Sequence, residues 1–369
     1  MFINSEISKY IGRTFLFCSL VTFTSLGAVI FIGDLVEYSK KLSSHDDSTL
    51  SLLFLLAFLN LPKMLLEILP FSFLFAGMLW TIKINNYKEL LIMRTSGIAL
   101  SRVCLPIILI SFFLGTFFVL AFSPLISATQ KKIQTIESER LGKPITSLLV
   151  SNSGFWLKQG TLKSSEIIYA KKLDTKNMIL LDVLVYKFDK NYEVQERVKA
   201  ISCELKDSFW LLKDIKLTNT NGETVLKDYL RLDTSITNSQ IKEGLSSPET
   251  ISIWNLFSFI NMFEKAGFSA KKHKSYFYKL LCLPLFLSGM SLLGISLNMI
   301  TFSSKSSNLK ILFGVIIGFI IFYITKIITA FAISGKLTFF LSALIPTIIP
   351  LLLGMILILI ADERIGNEK

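Results

Sequence analysis

The sequence predicts an α-helical polytopic membrane protein with six transmembrane helices and an inserted all-β domain of jelly-roll-like fold. Two observations support this fold class. First, 51% of the 369 residues are hydrophobic and 31 are Phe, which is more apolar surface than one soluble core needs. Second, three apolar segments precede a polar, strand-rich region at about residues 130–250, and three follow it. Because a bilayer crossing needs roughly 20 apolar residues whose backbone amides are paired internally, the segments should be helices.

The three N-terminal segments differ in their proline content. Segment one runs from about Gly12 to Gly33, and segment three from about Val103 to Ile126. Segment two, from about Leu50 to Ile84, contains Pro62 and Pro70, so a kink or a slanted start at the membrane surface is expected. The apolar run of segment one is longer than the roughly 7–15 residues of a signal-peptide core, which favours an uncleaved crossing.

The three C-terminal segments follow the strand-rich region without long interruptions. Segment four spans about Tyr276 to Phe302, segment five about Leu309 to Ile333, and segment six about Leu337 to Ala361. These limits divide the chain into two transmembrane halves and one inserted domain. The predicted ranges are 1–126 and 271–369 for the halves, and 127–270 for the inserted domain.

Lys and Arg residues of the short loops indicate the orientation. They lie before segment one, between segments two and three, and between segments four and five, which fall on one side of the membrane if the helices alternate. The positive-inside rule makes that side cytoplasmic. The inserted domain is then exported, and it is periplasmic if the membrane is a bacterial inner membrane. The residues concerned are Lys9, Arg13, Lys83, Lys88, Arg94, Arg102, Lys305 and Lys310.

The net charge of +12 has two explanations, orientation of the loops or attraction to anionic lipid or a phosphorylated ligand. No basic helix or stacking module indicates nucleic acid. We expect no metal and no cofactor, since the four cysteines lack CxxC spacing and His45 and His273 are isolated loop residues. A P-loop is also absent, so hydrolysis of ATP would belong to another chain.

The inserted domain shows the period-two alternation of strands. Val198 and Ala200 alternate with polar residues, and Trp210 and Leu212 do so further along. Turn sequences separate these runs at residues 189–191 and 221–222. Several short strands of this spacing predict an antiparallel sandwich or jelly roll.

A helix is predicted on each flank of these strands, and the first of them is polar. The first covers Gln130 to Arg140. The second covers Ser252 to Lys265, with Ser252 as its N-cap and with Trp254, Phe257 and Ile260 on one face.

A short amphipathic helix is predicted at about residues 86–97, on the cytoplasmic side between segments two and three. Gly97 is placed to end it. One interpretation is a helix resting on lipid headgroups, and the other is a plug whose apolar knobs enter a groove of a cytoplasmic partner. Its apolar residues are Leu90, Leu91, Met93 and Ile98, and the flanking charges are Glu89 and Arg94.

Three stretches of the chain resemble one known family. Residues 88–97 read KELLIMRTSG, where the family has Ser-Glu, two hydrophobic residues, Val-Met, three variable residues and Gly. Residues 61–63 and 69–70 in segment two, and 154–160, GFWLKQG, at the start of the exported domain, match as well. On these residues, and on the order of crossings and inserted domain, the chain resembles the permeases of the LptF/LptG family. GFWLKQG and residues 252–267 are more similar to its LptG branch.

The resemblance implies a half-transporter of a lipopolysaccharide-exporting ABC transporter in the bacterial inner membrane. The implied partners are a paralogous LptF-like permease, two copies of a cytoplasmic ATPase and a single-span periplasmic jelly-roll subunit. Lipopolysaccharide would leave the membrane and pass onto a periplasmic β-jelly-roll bridge toward the outer membrane. The residues implied in coupling to the ATPase are Glu89, Leu91, Met93, Arg94 and Gly97.

The resemblance also implies sites for the lipid. Lys40 and Lys41, at the outer end of segment one, match basic positions of the family, so they either bind the phosphorylated head group or snorkel at a helix end. The family usually has a basic residue where this chain has Asp34. Lys326, inside segment five, either faces the cavity near Asp34 and restores the positive charge or snorkels to the outer headgroups.

Aromatic residues of the inserted domain have two explanations. They either form the core of a sandwich or line an acyl-chain groove in an open jelly roll. Two other functions stay possible at this point: a membrane-embedded lipid-modifying enzyme, although no dyad or paired carboxylates support it, and a non-transporting scaffold. The aromatic residues are Phe155, Trp156, Tyr186, Phe188 and Trp210.

Overall fold

The computed structural model divides the chain into two compact units. The helical unit holds the N-terminal helix with Ser48–Ile126 and Ser275–Lys369, and the β unit is centred on Ser127–Lys274. The domain limits at residues 126 and 270 stay a prediction. The residues that the structure describes are 5–42, 50–140, 147–151, 154–161, 164–174, 179–188, 194–206, 209–219, 224–234, 247–265, 269–300 and 307–367.

Six helices of the described chain are long and apolar enough to cross a membrane, which confirms the prediction of six crossings. Each of them extends beyond at least one end of the apolar segment that the sequence marks. A short helix lies between the second and third crossings, and another precedes the fourth. In chain order the helices are α1 (Ser5–Leu42), α2 (Leu50–Asn86), α3 (Glu89–Thr95), α4 (Leu100–Arg140), α5 (Ile253–Lys265), α6 (Lys271–Ile300), α7 (Ser307–Ile333) and α8 (Phe339–Asn367).

Polar contacts and glycines hold the helical unit together. Thr22 Oγ1 of α1 donates to the Ser72 carbonyl oxygen of α2 at 3.0 Å. Glycines bring α2 and α6 into backbone contact: a Cβ at Gly77 would clash with the Ser291 carbonyl oxygen, and one at Gly294 with the backbone of α2. Apolar surface gives no net drive between helices in lipid, so close packing of small residues and interhelical hydrogen bonds specify this arrangement.

The described part of the β unit contains seven antiparallel strands that pair in the order of the chain. This confirms the inserted β domain. A jelly roll also pairs strands that are distant in sequence. Here each described strand pairs with the next one along the chain. Short connections favour such hairpins. The predicted turns at 189–191 and 221–222 lie outside the described residues, between strands. The strands are β1 (Ser147–Ser151), β2 (Gly154–Thr161), β3 (Ser164–Asp174), β4 (Ile179–Phe188), β5 (Val194–Lys206), β6 (Phe209–Asn219) and β7 (Thr224–Asp233).

The alternation of buried residues in the sheet shifts by one position within its central strands. In β4 the spacing between buried residues widens from two to three positions between Leu180 and Val183, and the same occurs in β5 and β6. Asp182 and Asp214 have left-handed backbone angles at these places, with φ of 52° and 54°. The strand register continues past both positions without an inserted residue, and Asp tolerates this conformation better than most residues.

The helices that flank the strands are confirmed, but the predicted face of α5 is partly wrong. Residues 130–140 form the end of α4, and the Ser252 carbonyl accepts the first backbone bonds of α5. Ile260 is buried, while Trp254 and Phe257 are exposed, so the three residues do not share one buried face. The buried face is completed instead by Leu256, four positions before Ile260, and by Phe263, three positions after it.

His273 is not the isolated loop residue that the sequence suggested. It lies in the first turn of α6 and is fully buried. Its ring packs 5.1 Å from the ring of Phe259 and 5.7 Å from that of Phe263. The histidine therefore fastens the end of α5 to the start of α6, a packing role.

Candidate functional site

The short helix α3 is set by backbone geometry at both ends. Lys88 precedes it in a left-handed conformation with φ of 55°, and the acidic Glu89 opens its first turn, where a carboxylate complements the helix dipole. Gly97 has φ of +82°, and its N–H bonds the Arg94 carbonyl while the N–H of Ile98 bonds the Met93 carbonyl. This pair of bonds is a Schellman motif, so Gly97 ends the helix as predicted.

The apolar residues of α3 divide between two faces. Leu90 is buried against the helical unit, while Leu91 is 57% and Ile92 61% exposed. Met93 is half-buried. Two adjacent large apolar side chains therefore point away from the unit, and we call Leu91 and Ile92 the exposed pair. The sequence had suggested Leu91 and Met93 as outward knobs and had missed Ile92.

Arg94 faces inward rather than outward. Its Nη2 lies 2.7 Å from Asp362 Oδ1 and donates to the Asp362 carbonyl oxygen at 2.9 Å. The two side chains are only 16% and 29% exposed. Charge-assisted hydrogen bonds in such partly buried places contribute roughly 1.5–3 kcal/mol. Arg94 thus ties α3 to the end of α8, a contact between residues 268 positions apart.

Glu89 ties the other end of α3 to α1. Tyr10 Oη lies within hydrogen-bond distance of both carboxylate oxygens of Glu89, at 2.8 and 3.0 Å. This hydrogen bond is exposed, so its contribution to stability is smaller than that of the Arg94 contact. Together the two contacts connect α3 to the start of the first crossing and the end of the last. We call this arrangement the α3 junction.

The outer end of α1 holds the candidate head-group residues. Asp34 is buried, and Asn60 Nδ2 of α2 donates to its Oδ2 at 2.9 Å. Lys41 Nζ lies 2.6 Å from Glu37 Oε1, one turn away, so its charge is partly balanced by its own helix. Lys40 is exposed next to it. Two lysines therefore stand at this end of α1, and the Lys41–Glu37 pair lies within the helix.

Lys326 is exposed near the end of α7. Its Nζ lies 5.2 Å from the centroid of the Phe322 ring, one turn earlier in the same helix. Among the described contacts none joins Lys326 to Asp34, whose hydrogen bond goes to Asn60. The structure thus places Lys326 on the surface of its helix and leaves its role in head-group binding a prediction.

Three of the candidate aromatic residues share one face of the sheet. Trp156, Tyr186 and Phe188 pair with alternate residues of β3, which point to the same side. Trp156 is 38% exposed and packs at 4.5 Å on the ring of Tyr169. Its assignment to a sandwich core is therefore wrong. The side chain of Phe155, another of the five candidates, lies outside the described residues.

Trp210 does belong to the core of the sheet. Its indole Nε1 donates at 3.2 Å to Gln159 Oε1, which also accepts a bond from Thr234 at 2.7 Å. Gln159 lies in the GFWLKQG stretch, so part of that motif is structural.

Burial also raises the pKa of the Cys203 thiol far above its ordinary value, because the charged thiolate would lose its hydration.

Comparisons with known proteins agree with this architecture. The family model described as "Lipopolysaccharide export system permease LptF/LptG" matches residues 9–360. The chain is also similar to the lipopolysaccharide export system permease protein LptG of Haemophilus influenzae, with 22% identity over 337 residues, which covers 85% of this chain and 87% of the relative. The matched span includes Tyr10, α3 and the whole sheet.

Proposed function

Since the chain belongs to the LptF/LptG family of lipopolysaccharide export permeases, we propose that it is the LptG-like permease of an ABC transporter. It is a multi-pass membrane protein. In the proposal the membrane is the bacterial inner membrane, α3 lies on the cytoplasmic side and the sheet is periplasmic. Its substrate is lipopolysaccharide, which it extracts from the membrane and passes to a β-jelly-roll bridge.

The α3 junction is the observation that carries the energetic part of this proposal. The sequence has no P-loop, so two copies of a cytoplasmic ATPase supply the energy, and the exposed pair, Leu91 and Ile92, enters a groove of one copy. Glu89 lies at the edge of that contact. Arg94 and Gly97 act by positioning, because one anchors α3 to α8 and the other ends the helix.

The junction gives a path for movement of the ATPase to reach the membrane helices. A displacement of α3 is carried through Tyr10 to the start of α1 and through Asp362 to the end of α8. Polar contacts between packed helices switch between discrete arrangements and do not deform continuously. A displacement of α3 is therefore passed on to the helices that it contacts. Nucleotide-driven motion would thereby change the first crossing, whose other end holds Lys40 and Lys41.

The proposed path of the cargo uses the outer end of α1 and the sheet. Lys40, Lys41 and Lys326 bind the phosphates of the head group, with lysine as a point-charge partner. The paralogous LptF-like permease completes the cavity. In the sheet the face with Trp156, Tyr186 and Phe188 accepts acyl chains, and the single-span jelly-roll subunit stands next in the path.

The test uses the complex purified with its ATPase and reconstituted with lipopolysaccharide in proteoliposomes. Transfer of lipopolysaccharide to a soluble jelly-roll acceptor is measured with and without ATP. Leu91→Asp should weaken association of the ATPase by more than about tenfold, because a charge replaces a buried apolar anchor. Leu226→Asp, at an equally apolar exposed position of β7, is the matched control and should leave association unchanged.

Other outcomes would assign a different function. If ATP causes no transfer while the subunits still assemble, the chain is a scaffold. A change in the mass of the lipopolysaccharide after incubation would instead indicate a lipid-modifying enzyme. Equal ATPase association in both variants would remove α3 as the docking element.

A further inference from the structure

A groove on the helical unit lies between α1 and α2, near the end of α2. Its volume is about 310 Å³, at the lower end of the roughly 300–1,000 Å³ of small-molecule sites. It belongs to neither the α3 junction nor the outer end of α1. The lining residues are Phe17, Cys18, Val21, Leu79, Ile82, Lys83, Asn86 and Tyr87.

The chemistry of the groove changes along its length. Leu79, Ile82, Lys83 and Asn86 follow the i, i+3, i+4, i+7 spacing of one helix face, so their side chains succeed each other over about 10 Å. The inner part, with Val21 of α1, is apolar. The outer part, close to the end of α2, holds the lining side chains that can donate hydrogen bonds.

Lys83 is positioned at the mouth of the groove. It is exposed, and its Nζ lies 4.9 Å from the centroid of the Phe17 ring on the opposite wall. The ammonium therefore spans the groove instead of extending straight into water. Asn86 and Tyr87, whose amide and phenol groups are also hydrogen-bond donors, line the same groove.

We propose that this groove is a binding site for an anionic phospholipid, with an acyl chain along its apolar part and the phosphate at Lys83, Asn86 and Tyr87. Lysine near a membrane surface attracts anionic lipid, and an amphipathic groove matches a molecule that is apolar at one end and charged at the other. The proposal requires only that the chain spans a membrane, so it stands apart from the proposed export activity.

A protein partner fits the groove less well. The centres of protein interfaces are depleted in lysine, because an ammonium loses its hydration there without a matched anion. The cargo lipid is also a poor occupant, since Phe17 and Lys40 are 23 residues apart on α1, which is about 35 Å along a helix. A phospholipid of the leaflet at the end of α2 satisfies both the charge and the position.

The experiment counts lipids retained on the purified full-length complex by native mass spectrometry. The complex is incubated with palmitoyl-oleoyl phosphatidylglycerol or with the zwitterionic palmitoyl-oleoyl phosphatidylcholine. We expect phosphatidylglycerol to be retained in preference. Lys83→Gln should lower its retention about fivefold, the loss of one lysine near a membrane surface, and Val21→Trp, which fills the apolar part, should lower it as well.

Two matched variants control for general effects. Lys88→Gln removes an equally exposed lysine, and Val29→Trp enlarges an exposed valine two turns along α1; neither residue lines the groove. Both should retain phosphatidylglycerol like the unmodified chain. Equal retention of the two phospholipids, or equal losses in Lys83→Gln and Lys88→Gln, would overturn the proposal.

Two further arms identify a different occupant. When lipopolysaccharide replaces phosphatidylglycerol, its retention should not depend on Lys83. If lipopolysaccharide displaces bound phosphatidylglycerol, the groove is a cargo site. If Val21→Trp releases the paralogous permease without changing bound phospholipid, the groove is a protein interface and the proposal fails. ATP-dependent export in Lys83→Gln reports on the proposed function separately.

Discussion

The α3 junction and the outer end of α1 both carry charged side chains, but they pair them at different ranges. At the junction, Arg94 binds a residue 268 positions away, and Glu89 binds one 79 positions away. At the outer end, Lys41 pairs with Glu37 four positions away. The long-range contacts connect helix ends and, in the proposed function, carry motion. The local pair would leave its lysine able to exchange its partner for the proposed anionic ligand.

The largest effect is expected at the Arg94–Asp362 contact. Arg94→Ala leaves a partly buried carboxylate without its cation, so the free energy of unfolding of the helical unit should fall by about 3 kcal/mol. The transporter should also hydrolyse ATP with less lipid exported per ATP. Chemical denaturation in detergent and the transfer assay measure these effects. Arg102→Ala, at an exposed arginine, is the control, and equal effects in both variants would contradict the role of the junction.

The buried contact at the outer end comes second. Asn60→Ala removes the donor to the buried carboxylate of Asp34, which should cost about 2 kcal/mol of stability. Asn60→Asp is a sharper test, because two carboxylates would then face each other. Thermal unfolding in detergent reports both. If neither variant changes the thermal stability, Asn60 does not stabilise the carboxylate of Asp34. The outer end of α1 would then be held to α2 by apolar packing alone.

A smaller effect is expected at the Tyr10–Glu89 contact. Tyr10→Phe removes only the hydroxyl, so stability should change by about 1 kcal/mol or less. The coupling of ATP hydrolysis to export should nevertheless fall, while association of the ATPase is kept. Loss of association in Tyr10→Phe, measured by co-purification, would show instead that the hydroxyl holds α3 in its docking conformation.

The smallest effect on stability is expected at the local pair. Glu37→Gln removes the partner of Lys41, and exposed ion pairs contribute only about 0.2–1 kcal/mol. If the lysine serves the head group, this variant should bind lipopolysaccharide at least as tightly as the unmodified chain, while Lys41→Gln binds it less. Equal binding by all three proteins would assign the lysines to snorkelling.

Helix number, the inserted β domain and the end of α3 at Gly97 could be predicted because they depend on local signals. Apolar length gives the crossings, and a glycine after a short apolar run gives the Schellman motif. Asp182 and Asp214 show the limit of such signals. Their left-handed conformations shift the alternation of the strands, and nothing in a period-two pattern marks where an aspartate will adopt them.

The partners in the α3 junction could not be found from sequence. Tyr10 and Asp362 carry no motif, and only the folded chain brings them to α3. Ile92 was missed for a related reason, since neighbouring apolar residues of one short helix look alike until burial separates Leu90 from the exposed pair. The role of Arg94 in coupling stays a prediction, and its direction, inward to α8, depends on the fold.

The glycine contact between α2 and α6 has a consequence for the route of the cargo. At Gly77 and Gly294 the two backbones approach so closely that not even a methyl group fits between them. These helices must therefore travel as one piece during a transport cycle. If the proposed transport opens the helical unit toward the membrane, we expect the opening along α1, which hydrogen bonds among the described residues, rather than a glycine contact between backbones, fasten to α2.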